Sequence, residues 1–270
     1  MTNSSLLKGH AVMFEELFRY RDLLWMLTLR DIKIRYKQAV MGFLWALFMP
    51  AIAVLAGILV KTAISIVSGK ALNVADALSI SVKVLPWTFF ISAIKFSVQS
   101  LVGNKDLVTK IYFPREVLPL SSIFACLFDF IIASIALTII LTIFRIGISI
   151  YILYIPLALV FLILLTIGVG LFLSSANLFY RDIKYVVEII FTFVIFFTPV
   201  FYDADIFGKY KIFLLLNPIG SILETINSAV ILHQMPDMFW FAYAGVFSTS
   251  VFIFGFFIFH KQEPLFAENI

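Results

Sequence analysis

Arg30-Asp31-Ile32-Lys33-Ile34-Arg35-Tyr36-Lys37 is the most basic knot in this chain, and a long apolar run follows it from position 40. The same alternation of apolar run and short polar knot repeats to the C-terminal end. The sequence is 62% hydrophobic and 13% charged, against roughly 25% charged in soluble domains. A helix needs roughly 20 apolar residues to cross about 30 Å of hydrocarbon. The runs at 40–60, 84–102, 118–144, 150–176, 185–201 and 238–259 are read as such spans. The expected fold is therefore an all-α polytopic membrane protein with six transmembrane helices. Between the fifth and sixth runs, 206–232 is apolar but broken by Gly208, Lys209, Lys211, Asn217, Pro218 and Gly220. Irregular backbone at membrane depth survives only where protein or a wet cavity satisfies its polar groups. That segment is expected to form two short re-entrant helices, and is the candidate outer gate.

Cytoplasmic loops retain Lys and Arg. With six crossings, thirteen of the twenty Lys and Arg residues share a side with the termini, six lie opposite, and Lys95 falls inside a span. Both termini are thus expected in the cytoplasm. The first forty residues lack the short apolar core and small-residue cleavage site of a signal peptide. The single Cys126 excludes an internal disulfide. The net charge of +4 is accounted for by this topological bias, which leaves no basic soluble face to track nucleic acid.

Residues 1–38 read as a cytoplasmic amphipathic interface region, and 39–270 as the transmembrane domain. Trp25, Leu29, Ile32 and Tyr36 recur at helical spacing, with Arg30, Lys33 and Lys37 on one flank and Arg35 on the other. Such a helix lies in the headgroup layer. It serves either as a plain anchor or as a meeting point for a phosphate-bearing substrate. Ionisable groups inside spans usually face the bundle interior; Lys95 and Asp129, on neighbouring antiparallel spans, are a candidate intramembrane pair. Gly170 and Ser174 have the small-residue spacing that lets helices approach closely.

Catalytic signals are sparse. His10, His233 and His260 are scattered, so spacing supports neither a metal cluster nor a Ser-His-Asp set. Asp203-Ala204-Asp205 matches a glycosyltransferase D-x-D site, which keeps a membrane glycosyltransferase as one rival. An ion-coupled secondary carrier, the other rival, should carry interrupted helices in both halves, and only 206–232 is interrupted. No G-x-x-x-x-G-K-[ST] stretch is present, so ATP, if used, is hydrolysed by a partner.

The stretch from Arg30 to Gln38, continuing through Gly42-Phe43-Leu44-Trp45-Ala46-Leu47 to Pro50, resembles the opening of the polysaccharide-exporting ABC permeases. These include the O-antigen, capsular polysaccharide and teichoic acid exporters. Lys110-Ile111-Tyr112-Phe113-Pro114-Arg115-Glu116-Val117-Leu118-Pro119, Phe179-Tyr180-Arg181-Asp182-Ile183, Thr198-Pro199-Val200 and Asn217-Pro218 match in order and spacing over nearly the whole chain. The resemblance implies a transport subunit rather than an enzyme. Such a subunit dimerises in the bacterial cytoplasmic (inner) membrane and carries two copies of a nucleotide-binding ATPase subunit. ATP and Mg belong to that partner, with no cofactor in this chain. The cargo implied is an undecaprenyl-pyrophosphate-linked glycan.

The same resemblance makes 103–117 the coupling loop, with Lys105, Asp106, Lys110, Arg115 and Glu116 toward the ATPase. Glu15, Glu16, Arg19 and Arg21 are expected to assist. Arg30, Lys33, Arg35 and Lys37 would meet the substrate phosphates, with Arg181 at the same face. Aromatic faces suit a sliding sugar chain, because pyranose C–H groups stack on them weakly and repeatedly. The candidate channel rings are Phe43, Trp45, Phe48, Trp87, Phe90, Phe193, Phe196, Phe197, Phe201 and Tyr202.

Overall fold

The computed structural model describes residues 19–37, 41–69 and 73–269. Positions 1–18 of the expected interface region, with Glu15 and Glu16, lie outside the described residues, as do 38–40. The chain is an all-α polytopic membrane protein, and no strand occurs among the described residues.

Helix α1 (Arg21–Tyr36) is followed by a 3-10 turn (Gly42–Leu44) and α2 (Trp45–Ser68). Gly42 and Gly69, which flank α2 and its entry turn, have φ +51° and +69°, a region open to glycine without strain. Helix α3 (Val74–Gly103) starts ten residues before the expected run because Asn73 and Asp76 form a reciprocal capping box. The Asn73 N–H donates to Asp76 at 2.9 Å, satisfying a donor that helix ends otherwise leave orphaned. The short α4 (Lys105–Lys110), α5 (Val117–Ile143) and α6 (Tyr154–Phe179) follow.

The fifth expected span takes a different form. Helix α7 (Ile183–Val194) and a 3-10 turn (Ile195–Phe197) cover about 24 Å at about 1.5 and 2.0 Å rise per residue. The cause is Thr198-Pro199. A residue before proline is pushed out of the α region, and Thr198 is extended (φ −120°, ψ 133°). Among the described residues, five helices are long and apolar enough to cross a membrane: α2 with its entry turn, α3, α5, α6 with its entry turn, and α10 (Met238–Gln262) with the turn after it. The 206–232 region folds as the short helices α8 (Lys211–Leu215) and α9 (Pro218–Asn227), then a π turn (Ser228–Leu232). Asn217 caps α9 by accepting from the Ile219 N–H at 3.3 Å, with Pro218 at the first helical position. The chain ends in α11 (Phe266–Asn269).

Helix α3 is the hub: it packs against α2, α5, α6, α7 and α9, and Ile80, Val84, Ala93 and Ile94 are fully buried. Helix α2 is largely exposed by comparison. The tightest pairing joins α6 and α10. A Cβ placed on Gly255 would lie 2.1 Å from the Gly168 carbonyl oxygen, so these backbones touch. Gly170 faces an α3 side chain instead, where an added Cβ would fall 2.8 Å from Ser97 Oγ. A second core forms at the α4 end, where Leu27, Leu101, Val108, Phe113, Leu118, Phe259 and Phe266 cluster. This seats the 103–117 loop on the C-terminal helices.

Candidate functional site

Helix α1 packs along the first half of α5. Ser121 and Ser122 donate to Asp31 at 3.3 and 3.4 Å. One turn later, Arg35 donates to Asp129 at 2.8 Å and approaches Cys126 Sγ at 3.3 Å. The Tyr36 hydroxyl donates to the other Asp129 oxygen at 2.6 Å. The Arg35 guanidinium also lies 3.9 Å from the Phe96 ring centre, within cation–π range. Burial first, and then the Asp129 hydrogen bond, push the Tyr36 phenol above its ordinary range. The Lys95–Asp129 pair is therefore not what forms. Asp129 is taken by Arg35 and Tyr36, because the inward stripe of α1 runs Leu27, Thr28, Asp31, Ile32, Arg35. Lys95 is half-buried and has no ion-pair partner among the described residues. The outward face of α1 carries Trp25, Met26, Lys33, Ile34 and Lys37, so Trp25 leaves the apolar stripe in which spacing placed it.

Two hollows meet at Tyr36. A cavity of about 550 Å³ lies among α1, α2, α3 and α5, and its rings include Trp45, Trp87, Phe89, Phe96, Phe130 and Phe201. Arg35 and Asp129 are its charged groups. The adjoining groove, about 750 Å³, is lined by Arg30, Lys33 and Lys37 together with Phe43. The Tyr36 and Phe43 rings meet at 4.6 Å between centroids, tilted by 35°. The four basic residues of the N-terminal knot thus divide: three in the groove and Arg35 in the cavity. Arg181 lines neither and is exposed.

The aromatic candidates divide too. Trp45, Trp87 and Phe201 line the cavity and Phe43 the groove, whereas Phe90 is buried core beside Phe191. Phe48, Phe193, Phe196 and Phe197 are exposed on the chain's surface. The Tyr202 hydroxyl is spent on the Phe196 carbonyl at 2.7 Å. Asp129 stood out in sequence as an ionisable group inside a span and Phe130 did not; nothing local announced that both would share a cavity with Arg35.

At the opposite end from α4, five ionisable groups form one network. Lys83, 0% exposed, donates to the Tyr202 carbonyl at 2.7 Å, to Asp203 at 2.9 Å and to Glu224 at 3.4 Å. Lys61 reaches Asp76 at 2.9 Å and Asp203 at 3.1 Å. Glu224 accepts from the Ala204 N–H at 3.3 Å. Burial opposes the Asp203 charge, but the two ammonium groups outweigh it and hold its carboxyl below the usual range. The D-x-D reading fails on this geometry: Asp203 is committed to two lysines, while Asp205 pairs outward with Lys211 at 2.9 Å.

At the α4 end, Lys105, Asp106 and Lys110 are exposed, the last two joined at 2.9 Å. Lys110 holds the Asp106 carboxyl below the usual range. Arg115 and Glu116 instead turn inward. The Arg115 guanidinium donates to the Glu263 carbonyl at 2.7 Å. Glu116 is buried, and burial first, then the Glu263 charge, push its carboxyl up to about 7. The residue that stands out from this loop is Tyr112, 90% exposed, which composition gave no reason to single out.

A family model described as ABC-2 type transporter matches residues 22–231. The O-antigen export system permease protein RfbA of Myxococcus xanthus is 25% identical over 259 residues, covering 94% of this chain and 98% of the relative. A Klebsiella pneumoniae protein of the same description is 28% identical over 261 residues, covering 92% and 94%. The five membrane-length helices and the family match across both hollows agree, and the chain belongs to the ABC-2 type transporter family.

Proposed function

We propose that this chain is the permease subunit of an ATP-driven exporter of a lipid-linked glycan, working as a homodimer with two copies of a separate ATPase. One observation carries the reading: a groove holding Arg30, Lys33 and Lys37 opens beside a ring-lined cavity, with Tyr36 common to both. Cations suit a pyrophosphate, and rings suit the sugar that follows it. The curated relatives, named as O-antigen export permeases, support a cell-surface glycan as cargo.

In this reading the α4 end faces the cytoplasm of a bacterial inner membrane. The segment from Ile183 to Tyr202 supplies a sixth crossing. Its start accepts order from Asn177, which receives the Lys184 N–H and donates to the Val98 carbonyl. Its end reaches Lys83, about 22 Å away along α3 at 1.5 Å per residue. The α8–α9 segment closes the outer end through the Lys83 network. The exposed faces of α2 and α7 are where the second copy packs.

Lys33 and Lys37 test the phosphate entry better than Arg35, because reversing Arg35 would set two carboxylates against each other at Asp129. At roughly 1 kcal/mol per basic residue near an anionic group, the K33E/K37E double variant loses at least about 2 kcal/mol, or about 30-fold in substrate affinity. Glycan-stimulated ATP hydrolysis by the reconstituted complex reads this directly. An unshifted glycan dependence would remove these cations from the entry site.

Coupling has its own test. Tyr112→Ala should strip most of the ATPase subunit from the purified complex, since large aromatic anchors dominate interface energies. Equal co-purification of both subunits with the variant would move the docking surface elsewhere.

A further inference from the structure

Glu116 opens α5, while His260 and Glu263 close α10 and begin the turn after it; the fold brings their side chains to one point. His260 Nδ1 stands 3.6 Å from Glu116 Oε1 and 3.3 Å from Glu263 Oε2. The three donor atoms all lie within 4.8 Å of one another. Glu116 is 2% exposed, and His260 is its one ion-pair partner among the described residues. Arg115, next to it, is committed to the carbonyls of Glu263 and Val108. Two carboxylates, one of them fully buried, thus converge on a single imidazole with no lysine or arginine side chain between them.

The spacing suits an ion. Donors held tetrahedrally at about 2.0–2.1 Å from zinc stand about 3.3–3.4 Å apart, close to the 3.6 and 3.3 Å that separate His260 Nδ1 from the two carboxylates. The other Glu263 oxygen accepts from the Arg115 N–H at 3.1 Å, the outer hydrogen bond that commonly orients a ligating carboxylate. His260 is half-exposed, which leaves room for water as the fourth ligand. An imidazole with only three protein donors favours zinc-class metals over Ca²⁺ or Mg²⁺, which take six or more oxygens.

We propose that Glu116, His260 and Glu263 bind one divalent transition-metal ion of the zinc class, clamping the coupling loop and the start of α5 to the C-terminal end of α10. The clamp would brace the loop on the surface where α4 stands exposed. It depends on neither the identity of the cargo nor the direction of transport.

The test uses the full-length chain, purified in detergent on a histidine-free tag, stripped with chelator and titrated with Co²⁺. One Co²⁺ per chain, giving visible ligand-field bands and displaced by Zn²⁺, is the expected result. His260→Ala should weaken binding by about 100-fold or more, beyond the roughly 10–100-fold typical of outer-sphere losses. His260→Cys should keep the metal and add a near-ultraviolet thiolate-to-cobalt band, which Cys126, buried elsewhere, cannot supply. That gain of signal separates ligation from mere folding. Co²⁺ binding that is absent from the unaltered chain, or equal in the unaltered chain, H260A and E116Q, overturns the site.

Discussion

Lys83→Met is expected to lower the melting temperature of the purified chain by roughly 10 °C or more. Lys83 is fully buried and is the shared cation of Asp203, Glu224 and the Tyr202 carbonyl. Removing one partner of a buried ion pair costs about 3–5 kcal/mol, because the remaining charge is left without compensation. In a chain of this size each kcal/mol moves the midpoint by roughly 2–4 °C. The physical claim is sharper than a stability loss alone. Glu224 would be the stranded group, since Asp203 keeps Lys61 at 3.1 Å. K83M/E224Q should therefore recover about half of the lost stability, while K83M/D203N should recover less. Differential scanning fluorimetry in detergent distinguishes the two. Equal rescue by both would mean that the network is not organised around the Lys83–Glu224 contact, and the closure of the α8–α9 segment would need another cause.

The second large effect lies where α6 and α10 touch. Gly255→Val should prevent accumulation of a folded chain, and Gly255→Ala should cost about 3 kcal/mol or more, at or above the upper range of core overpacking. The reason is geometric. The added Cβ at Gly255 meets the Gly168 carbonyl oxygen at 2.1 Å, and one at Gly168 meets the Val251 carbonyl oxygen at 2.6 Å. Both neighbours are backbone, so no rotamer change relieves the clash and the helices must separate. Membrane helices without a hydrophobic drive between them depend on such close contact. Gly103 supplies the control, since nothing lies within 4 Å of its added Cβ. Gly103→Ala should melt with the unaltered chain. A Gly255→Ala chain that melts with it too would show that α6 and α10 have room to spare.

Much of the architecture was legible because a membrane imposes a length and a polarity on each helix. Runs such as 118–144 and 150–176 have no soluble solution, and their helices α5 and α6 appear within a few residues of those limits. Punctuation was legible too. Asn217 and Pro218 stood among the breaks of 206–232, and α9 starts there; Thr198-Pro199 stood near the end of the fifth run. What the pattern misjudged was length. The expected run began at 84, after Asp76 and Lys83, yet α3 carries both, because ion partners from α2, the 203 loop and α9 offset their burial. The fifth run counted apolar residues through 201, yet the proline took the last turns out of the helix.

The candidate site was legible only in its ingredients. A basic knot, an aspartate in an apolar run and an excess of rings are local facts, and the sequence by itself determined that they exist in a membrane-spanning all-α chain of this family's pattern. Which of them meet was decided by tertiary structure alone. Arg35 and Asp129 are 94 positions apart, and Lys83 and Glu224 are 141 apart. Periodicity assigns a side chain to a face of its own helix but carries no information on which helix that face will meet. Apolar burial, being non-directional, leaves that open as well. The choice falls to contacts that exist only once helices pack: the Gly168–Gly255 approach, the inward stripe of α1 on α5, and the need of each buried charge for a partner.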